Sequence, residues 1–167
     1  MVLSSFLNYE DWFQCETKSY KILFPKKPAA STQKVNSAIG ELTLNLNVYE
    51  VPQNETDDNY VYLVNETAYP DSLINSGSKD LLQTFFRNAI DGAAKNVNGK
   101  VISEKDITIQ NYPGREVKVD YETARAIIRM RIYLVKNKMF MLQTITDTEK
   151  DSNKSITKFM DSFQLVE

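Results

Sequence analysis

The sequence predicts an α+β fold in which a central, mainly antiparallel β-sheet is flanked by helices. Two runs of alternating apolar and polar residues, before residue 70 and after residue 100, are typical of half-buried strands. A long helical pattern lies between them, and a short one follows near the C-terminus. Strands that follow one another without βαβ units favour an antiparallel sheet, and helices on both faces would complete an α/β/α sandwich. Residues 1–167 are predicted to form a single domain.

Four strands are predicted in the first half of the chain, after a lead-in segment at residues 1–15. The lead-in is expected to be irregular or helical and to pack through Phe6, Leu7, Trp12 and Phe13. The strands stop before residues that interrupt β-structure, such as Pro25, Gly40 and Pro52. The predicted strands are Tyr20–Phe24, Thr32–Ala38, Leu42–Val48 and Tyr60–Val64.

A long helix is predicted at about Ser78–Asn96, where apolar residues recur at steps of three and four. Ser78 is expected to cap its N-terminus, and Asp80 lies in the first turn, where the helix dipole favours an acid. Asn98-Gly99 is a typical signal for the C-terminal end. The apolar stripe that should dock on the sheet consists of Leu82, Phe85, Phe86, Ala89, Ala93 and Val97.

Pro113-Gly114 is a strong turn signal, because Pro presets φ at the second turn position and Gly supplies a positive φ at the third. It predicts a type II turn between two strands. The strands around and after this turn are Val101–Ile109, Arg115–Tyr121, Ala126–Val135 and Met139–Thr146.

Loop lengths and apolar alternation predict how the last three of these strands pair. A four-residue loop at Glu122–Arg125 places Tyr121 opposite Ala126. The same register places Glu116 opposite Arg131. A two-residue loop at Asn137-Lys138, with Asn137 left-handed, places Leu134 opposite Met141. One face then collects the apolar side chains Val117, Val119, Tyr121, Ile128, Met130, Ile132, Leu134, Met141 and Ile145.

A second helix is expected near the C-terminus, starting at Asp151 or Ser152. Leu165-Val166 would add a final short strand. The apolar side of this helix consists of Ile156, Phe159, Met160 and Phe163.

Composition argues against several classes of function. The net charge is -2, from 20 basic and 22 acidic residues that are interspersed, so there is no basic stripe for nucleic acid. No apolar run approaches the ~20 residues of a membrane span. The chain has no His and a single cysteine, Cys15, which excludes His-based catalytic triads, His-ligated zinc and an internal disulfide. No metal or cofactor is therefore predicted.

The N-terminus lacks the basic region and the long apolar stretch of a signal peptide. The sequence as it stands is therefore interpreted as a soluble cytoplasmic protein, and a mature exported protein without its signal is the alternative. We expect a monomer or a weak homo-oligomer. Its partner would be a protein or a small molecule that the sequence does not identify.

Four segments carry a resemblance to a known group. They are Ile22-Leu23-Phe24-Pro25, Tyr112–Glu116, Arg129–Val135 and Phe159–Phe163. In this order they resemble uncharacterised, often exported, bacterial proteins with a Mog1/PsbP-like fold, over roughly Tyr20–Val166. The resemblance implies a central antiparallel sheet between helices, without catalysis. PsbP-type metal binding relies partly on His, which this chain lacks, so the resemblance implies no metal site here.

The candidate site residues are Tyr112, Arg115, Glu116, Arg129 and Arg131. Arginine presents a planar donor fork, so these side chains could line a pocket for an anion or a peptide carboxylate. The alternative is a cross-strand salt bridge on a partly exposed sheet face.

Two functions remain open from the sequence. The first is a non-enzymatic binding or accessory module that recognises a protein or a small ligand. The second is a hydrolase or lyase without metal or His, in which Glu116 works beside Arg129 and Arg131. A deep pocket holding a carboxylate of raised pKa would favour the enzyme, and a shallow surface would favour the binding module.

Overall fold

The computed structural model describes residues 12–166, which form a seven-stranded sheet, a three-stranded sheet and two helices. The strands are β1 (Phe13–Glu16), β2 (Tyr20–Phe24), β3 (Ala29–Ser37), β4 (Gly40–Glu50), β5 (Asn59–Ala68), β6 (Lys100–Ile109), β7 (Tyr112–Tyr121), β8 (Ala126–Val135), β9 (Lys138–Asp147) and β10 (Gln164–Leu165). The helices are α1 (Lys79–Asn96) and α2 (Lys154–Asp161). All four strands predicted before residue 70 are present, and three of them are longer than predicted.

The seven-stranded sheet has the order β3-β4-β5-β9-β8-β7-β6, and every neighbouring pair is antiparallel. The three-stranded sheet has the order β1-β2-β10 and is also antiparallel. The predicted α+β class with a mainly antiparallel sheet is thus confirmed. The final strand is confirmed as well, although it begins one residue earlier than predicted.

The predicted pairing of β7 with β8 is confirmed. Tyr121 lies opposite Ala126, and Glu116 lies opposite Arg131. The connection is the four-residue loop expected from the sequence, and Arg125 closes it in a left-handed conformation with φ 52°.

The predicted register of β8 with β9 is wrong by two residues. Leu134 lies opposite Met139 rather than Met141, because the loop is Lys136-Asn137. Lys136, not Asn137, takes the left-handed conformation, with φ 54°. Side chains alternate with a period of two, so this even shift leaves every side chain on its predicted face.

The predicted turn at Pro113-Gly114 is wrong, because both residues lie inside β7. The chain turns instead at Gln110-Asn111, where Gln110 has φ 50°. Gly114 is required by a close approach: a Cβ there would lie 2.6 Å from Cδ1 of Tyr133 and 2.8 Å from the carbonyl oxygen of Ile132. Proline has no N–H to donate to a neighbouring strand. Pro113 is tolerated in β7 because it lies just outside the terminal β7–β8 pair, Gly114 with Tyr133, and so has no partner on β8.

Helix α1 packs on one face of the large sheet. Its buried side chains are Phe86, Ile90 and Ala94, which recur every four residues. The predicted stripe lies on the correct side of the helix but omits Ile90 and Ala94, and its members other than Phe86 are only half-buried. The sheet residues beneath α1 are Val117, Val119, Ile128, Met130, Ile132, Leu134 and Met139.

The start of α1 lies where it was predicted, with Ser78 at the N-cap position and Asp80 in the first turn. Ser78 makes no side-chain capping hydrogen bond, however, so the predicted cap itself is wrong. Asn98 is left-handed, with φ 50°, and the N–H of Gly99 donates to the carbonyl of Ala94 at 2.8 Å. This satisfies a carbonyl that the end of the helix would leave without a partner.

The opposite face of the large sheet is covered by α2 together with the small sheet. Asn153, rather than Asp151 or Ser152, caps α2, and its side chain accepts from the N–H of Ile156 at 3.1 Å. The predicted flanking of the sheet by helices is therefore confirmed in part, since half of this layer is a sheet. The core on this side includes Ile22, Phe24, Tyr62, Tyr133, Phe140, Leu142, Ile156, Phe159 and Met160.

The lead-in segment differs from the prediction where it is described. Phe13–Glu16 forms β1 rather than irregular or helical structure, and its Phe13 is largely exposed. Trp12 does pack, with its ring edge-to-face on Tyr62 at 5.9 Å. Phe6 and Leu7 lie outside the described residues.

Candidate functional site

The structure places Glu116 and Arg131 in direct contact on the face that α2 covers. Arg131 Nε donates to Glu116 Oε2 at 2.7 Å. Lys105 Nζ reaches the other carboxylate oxygen of Glu116 at 2.8 Å. Arg131 Nη1 also donates to Asp161 at the end of α2, at 2.7 Å. Strands β6, β7 and β8 and helix α2 are thus joined by one network of charges.

Arg129 forms a second network next to the first. Its Nε donates to Asp151 Oδ1 at 2.8 Å, and Lys118 Nζ donates to Asp151 Oδ2 at 2.6 Å. Asp151 lies in the segment that leads into α2, and its side chain is 17% exposed. Each carboxylate is therefore shared by two cations, and Arg131 also donates to Asp161.

The pKa values of these carboxylates do not fit a general acid. Burial alone would raise the pKa of Glu116, but hydrogen bonds from Lys105 and Arg131 outweigh it, and the net pKa lies below the ordinary value. Asp151 behaves alike: burial raises its pKa, the bonds from Arg129 and Lys118 lower it more, and the net pKa is depressed. A general acid at neutral pH needs a raised pKa. The hydrolase or lyase interpretation finds no support in this geometry.

These depressed pKa values predict an acid-sensitive fold. A carboxyl whose folded pKa lies below its unfolded value stabilises the fold above the unfolded pKa, and the stabilisation is lost as pH falls through the folded pKa. The unfolded values are near 4.5 for Glu116 and 3.8 for Asp151. We therefore expect the free energy of unfolding to fall as pH is lowered from 4.5, measured by urea titration at several pH values.

The double variant Glu116→Gln with Asp151→Asn should be less stable than the wild type at pH 7 and should lose less stability on acidification. The exposed Glu122, which forms no ion pair within residues 12–166, gives the matched control Glu122→Gln. If the free energy of unfolding fell equally steeply with acidification in the double variant and in the wild type, Glu116 and Asp151 would not be the cause of the acid sensitivity.

The other two candidate residues lie elsewhere. Arg115 points to the opposite face, where its guanidinium lies 4.7 Å from the centre of the Phe86 ring and Nη1 lies 3.2 Å from Asp106. Tyr112 lies at the start of β7 and lines a separate open cavity of about 490 Å³, which Lys136 also lines. The five residues chosen from the sequence therefore do not form a common pocket.

A further concavity lies on the α1 side and is called the α1 groove below. It runs between α1, the β3–β4 hairpin and the loop 69–77, with a volume of about 390 Å³. Its lining is largely apolar and contains no charged side chain. The lining residues are Ser37, Ala38, Ile39, Leu42, Tyr69, Leu73, Ile74, Asn75, Leu81, Leu82, Thr84, Phe85, Asn88, Ala89 and Leu134.

The wall of the α1 groove formed by the loop 69–77 is fixed by hydrogen bonds to the β8–β9 turn. The N–H of Tyr69 donates to the carbonyl of Asn137 at 2.9 Å, and Asn137 Nδ2 donates back to the Tyr69 carbonyl at 2.6 Å. The N–H of Ser76 donates to the carbonyl of Lys136 at 2.8 Å. The Tyr69 ring packs edge-to-face on Phe85 at 5.6 Å. These contacts fix the loop 69–77 against the β8–β9 turn and against Phe85 of α1.

Three large apolar side chains stand exposed at the α1 groove. Leu81 is 49% exposed, Leu73 46% and Ile39 37%. The sequence did not predict the groove. Leu73 lies in a loop, Ile39 at the tip of the β3–β4 hairpin, and Leu81 on α1 beside the predicted stripe. Their one sequence signal is that they are large apolar residues outside any periodic pattern.

Two further findings concern residues 12–166. No helix there is long and apolar enough to cross a membrane. No group of three or more Asp, Glu, Cys or His side chains in that range is placed to hold a metal ion.

Comparisons with known proteins bear on the fold. No family model matches the chain. No curated protein matches it either. Among solved structures, it is similar to the solution structure of cyanobacterial PsbP (CyanoP) from Synechocystis sp. PCC 6803, with a TM-score of 0.49 and 11% identity over 96% of each chain.

Proposed function

We propose that the protein is a non-enzymatic binding module that holds a small, uncharged and mainly apolar molecule in the α1 groove. One observation carries the proposal: a concavity of about 390 Å³ with an apolar lining and exposed Leu and Ile side chains around it. Ligand sites are typically clefts of about 300–1,000 Å³ with mostly apolar walls and a few polar groups.

The lining supports an uncharged ligand. A charge buried in the groove would lose its hydration without gaining a partner, because none of the lining side chains is charged. Thr84 and Asn88 line the groove and make no side-chain hydrogen bond within residues 12–166. They are available to orient a hydroxyl or a carbonyl of the ligand.

The proposed scaffold is an α/β/α sandwich of the Mog1/PsbP-like type. Helix α1 packs through Phe86 on one face of the sheet, and α2 packs through Phe159 on the other. The salt-bridge networks on the α2 side would hold that layer in place and leave the α1 side for binding.

The proposal is tested with a neutral fluorescent probe, N-phenyl-1-naphthylamine, titrated into the full chain. We expect saturable binding that Leu81→Asp weakens by about tenfold or more, because the variant places a charge in an apolar site. Leu81 is half-exposed in the first turn of α1, where an acid is favoured, so the fold should persist.

The matched control is Ile102→Asp, since Ile102 is 50% exposed on β6, away from the groove. It should bind the probe as the wild type does. In parallel, a thermal-shift screen of uncharged compounds should give hits that Leu81→Asp abolishes, since a ligand at 100 times its Kd stabilises by about 2.7 kcal/mol. Equal probe affinity in Leu81→Asp and Ile102→Asp would rule the groove out.

A further inference from the structure

In the part of the chain that the structure describes, strand β3 forms one edge of the large sheet. Within residues 12–166 it pairs with β4 on one side only. All of its nine residues, Ala29–Ser37, are exposed. An edge strand presents unpaired N–H and C=O groups, which can pair with a further strand.

The other edge of the same sheet, β6, is protected. Its pairing with β7 is interrupted by a bulge between Val101 and Ser103. It also carries the charges of Lys100, Glu104, Lys105 and Asp106. Bulges and charged side chains are the usual means by which edge strands avoid pairing.

Strand β3 has fewer of these protections. Its register with β4 is uninterrupted, it contains no Pro, and its only charged residue is Lys34. The charge of Lys34 is balanced within the chain by Glu41, at 2.8 Å. The remaining side chains are neutral, and the two edges of one sheet therefore differ in their capacity to accept a strand.

We propose that β3 pairs with β3 of a second copy of this chain, antiparallel and about a two-fold axis at Gln33. Gln33 is the central residue of Ala29–Ser37, so this register uses the whole strand. The large sheet would then continue through the dimer. The register meets the α1 groove only at Ser37, the last residue of β3, and the proposal does not depend on a ligand there.

The strand is self-complementary in this register. Lys34 of one copy lies opposite Thr32 of the other, so the two lysines do not face each other. Val35 lies opposite Ser31, and Asn36 lies opposite Ala30. No like charges oppose one another, and the small side chains at the N-terminal end leave room for the longer ones of the second copy.

The dimer should be weak. Stable interfaces bury about 1,200–2,000 Å², including apolar anchors, whereas one pair of polar strands offers mainly main-chain hydrogen bonds. We therefore expect a dissociation constant near the upper end of the range from about 1 μM to about 1 mM.

A charge-reversal pair tests both the interface and its register. Thr32→Glu places a carboxylate opposite Lys34 of the second copy, and Thr32→Lys places an ammonium there, twice in each dimer. The two variants lose the same side-chain hydrogen bond from Thr32 to Asn45. We expect the dissociation constant to fall about fivefold in Thr32→Glu and to rise about fivefold in Thr32→Lys.

The measurement is sedimentation equilibrium of the full chain from about 1 μM to about 1 mM, at low and high salt. Thr108→Lys, on the exposed side of β6, is the control and should behave as the wild type. The difference between the Thr32 variants should shrink at high salt. A wild type that stays monomeric throughout, or a dimer that the two Thr32 variants affect equally, would overturn the proposal.

Discussion

Replacing Phe86 by alanine should lower the free energy of unfolding by about 3–5 kcal/mol, as truncation of a buried aromatic side chain does. Phe86 is 1% exposed and lies between α1 and the sheet. Its ring also contacts Phe85 at 5.3 Å and the guanidinium of Arg115. The loss is large against a total of about 5–15 kcal/mol for a domain. Urea titration gives the value directly.

Two replacements on the same helix serve as controls. Phe85→Ala should cost less than Phe86→Ala, because Phe85 is only half-buried at the α1 groove. Lys95→Ala, at an exposed position in the last turn, should change stability by no more than ~0.5 kcal/mol. If Phe86→Ala were as mild as Lys95→Ala, α1 would not be docked on the sheet as described.

Replacing Gly114 by alanine should destabilise the fold by about 3 kcal/mol, at the upper end of the range for overpacking. The new methyl group would lie 2.8 Å from the carbonyl oxygen of Ile132, which belongs to the neighbouring strand. The Tyr133 ring cannot move aside freely, because it is 5% exposed and stacks parallel to Phe163 at 6.0 Å. The midpoint of urea unfolding is the measurement.

Gly92→Ala is the matched control with the opposite sign. Gly92 lies within α1, and a Cβ there would meet no atom within 4 Å. Alanine is favoured over glycine in a helix by about 1 kcal/mol, so this variant should be more stable than the wild type. If both glycine variants shifted stability in the same direction, the close packing of β7 against β8 would not be the cause.

The pairing of β7 with β8 was predictable because two signals agreed. The alternation of Val117 and Val119 defined a face, and the length of the Glu122–Arg125 loop then defined the register. For β8 and β9 only the face was predictable. Lys136 and Asn137 each could have opened the loop, since local sequence does not show which residue will take a positive φ.

The Pro113-Gly114 turn shows where local rules fail. Gly serves both in turns and where two backbones approach closely, and only the neighbouring strand decides between the two roles. Here that neighbour is Tyr133 on β8. The same limit applies to the candidate site, where Glu116 and Arg131 were correctly paired as cross-strand neighbours. Asp151 reaches Arg129, and Asp161 reaches Arg131, from a layer that strand alternation cannot describe.

The junction between β5 and β9 has a consequence for how the chain folds. Strands β3 to β5 and strands β6 to β9 each follow one another as hairpins, and among the strands of residues 12–166 only the β5–β9 ladder joins the two groups. That ladder brings together residues as distant in sequence as Leu63 and Gln143. Non-local pairing carries a large loop-closure cost, so the two groups should form early and their docking should limit the folding rate. During synthesis, β5 is therefore an open edge, with the apolar side chains of Tyr62 and Val64 uncovered, until β9 has left the ribosome.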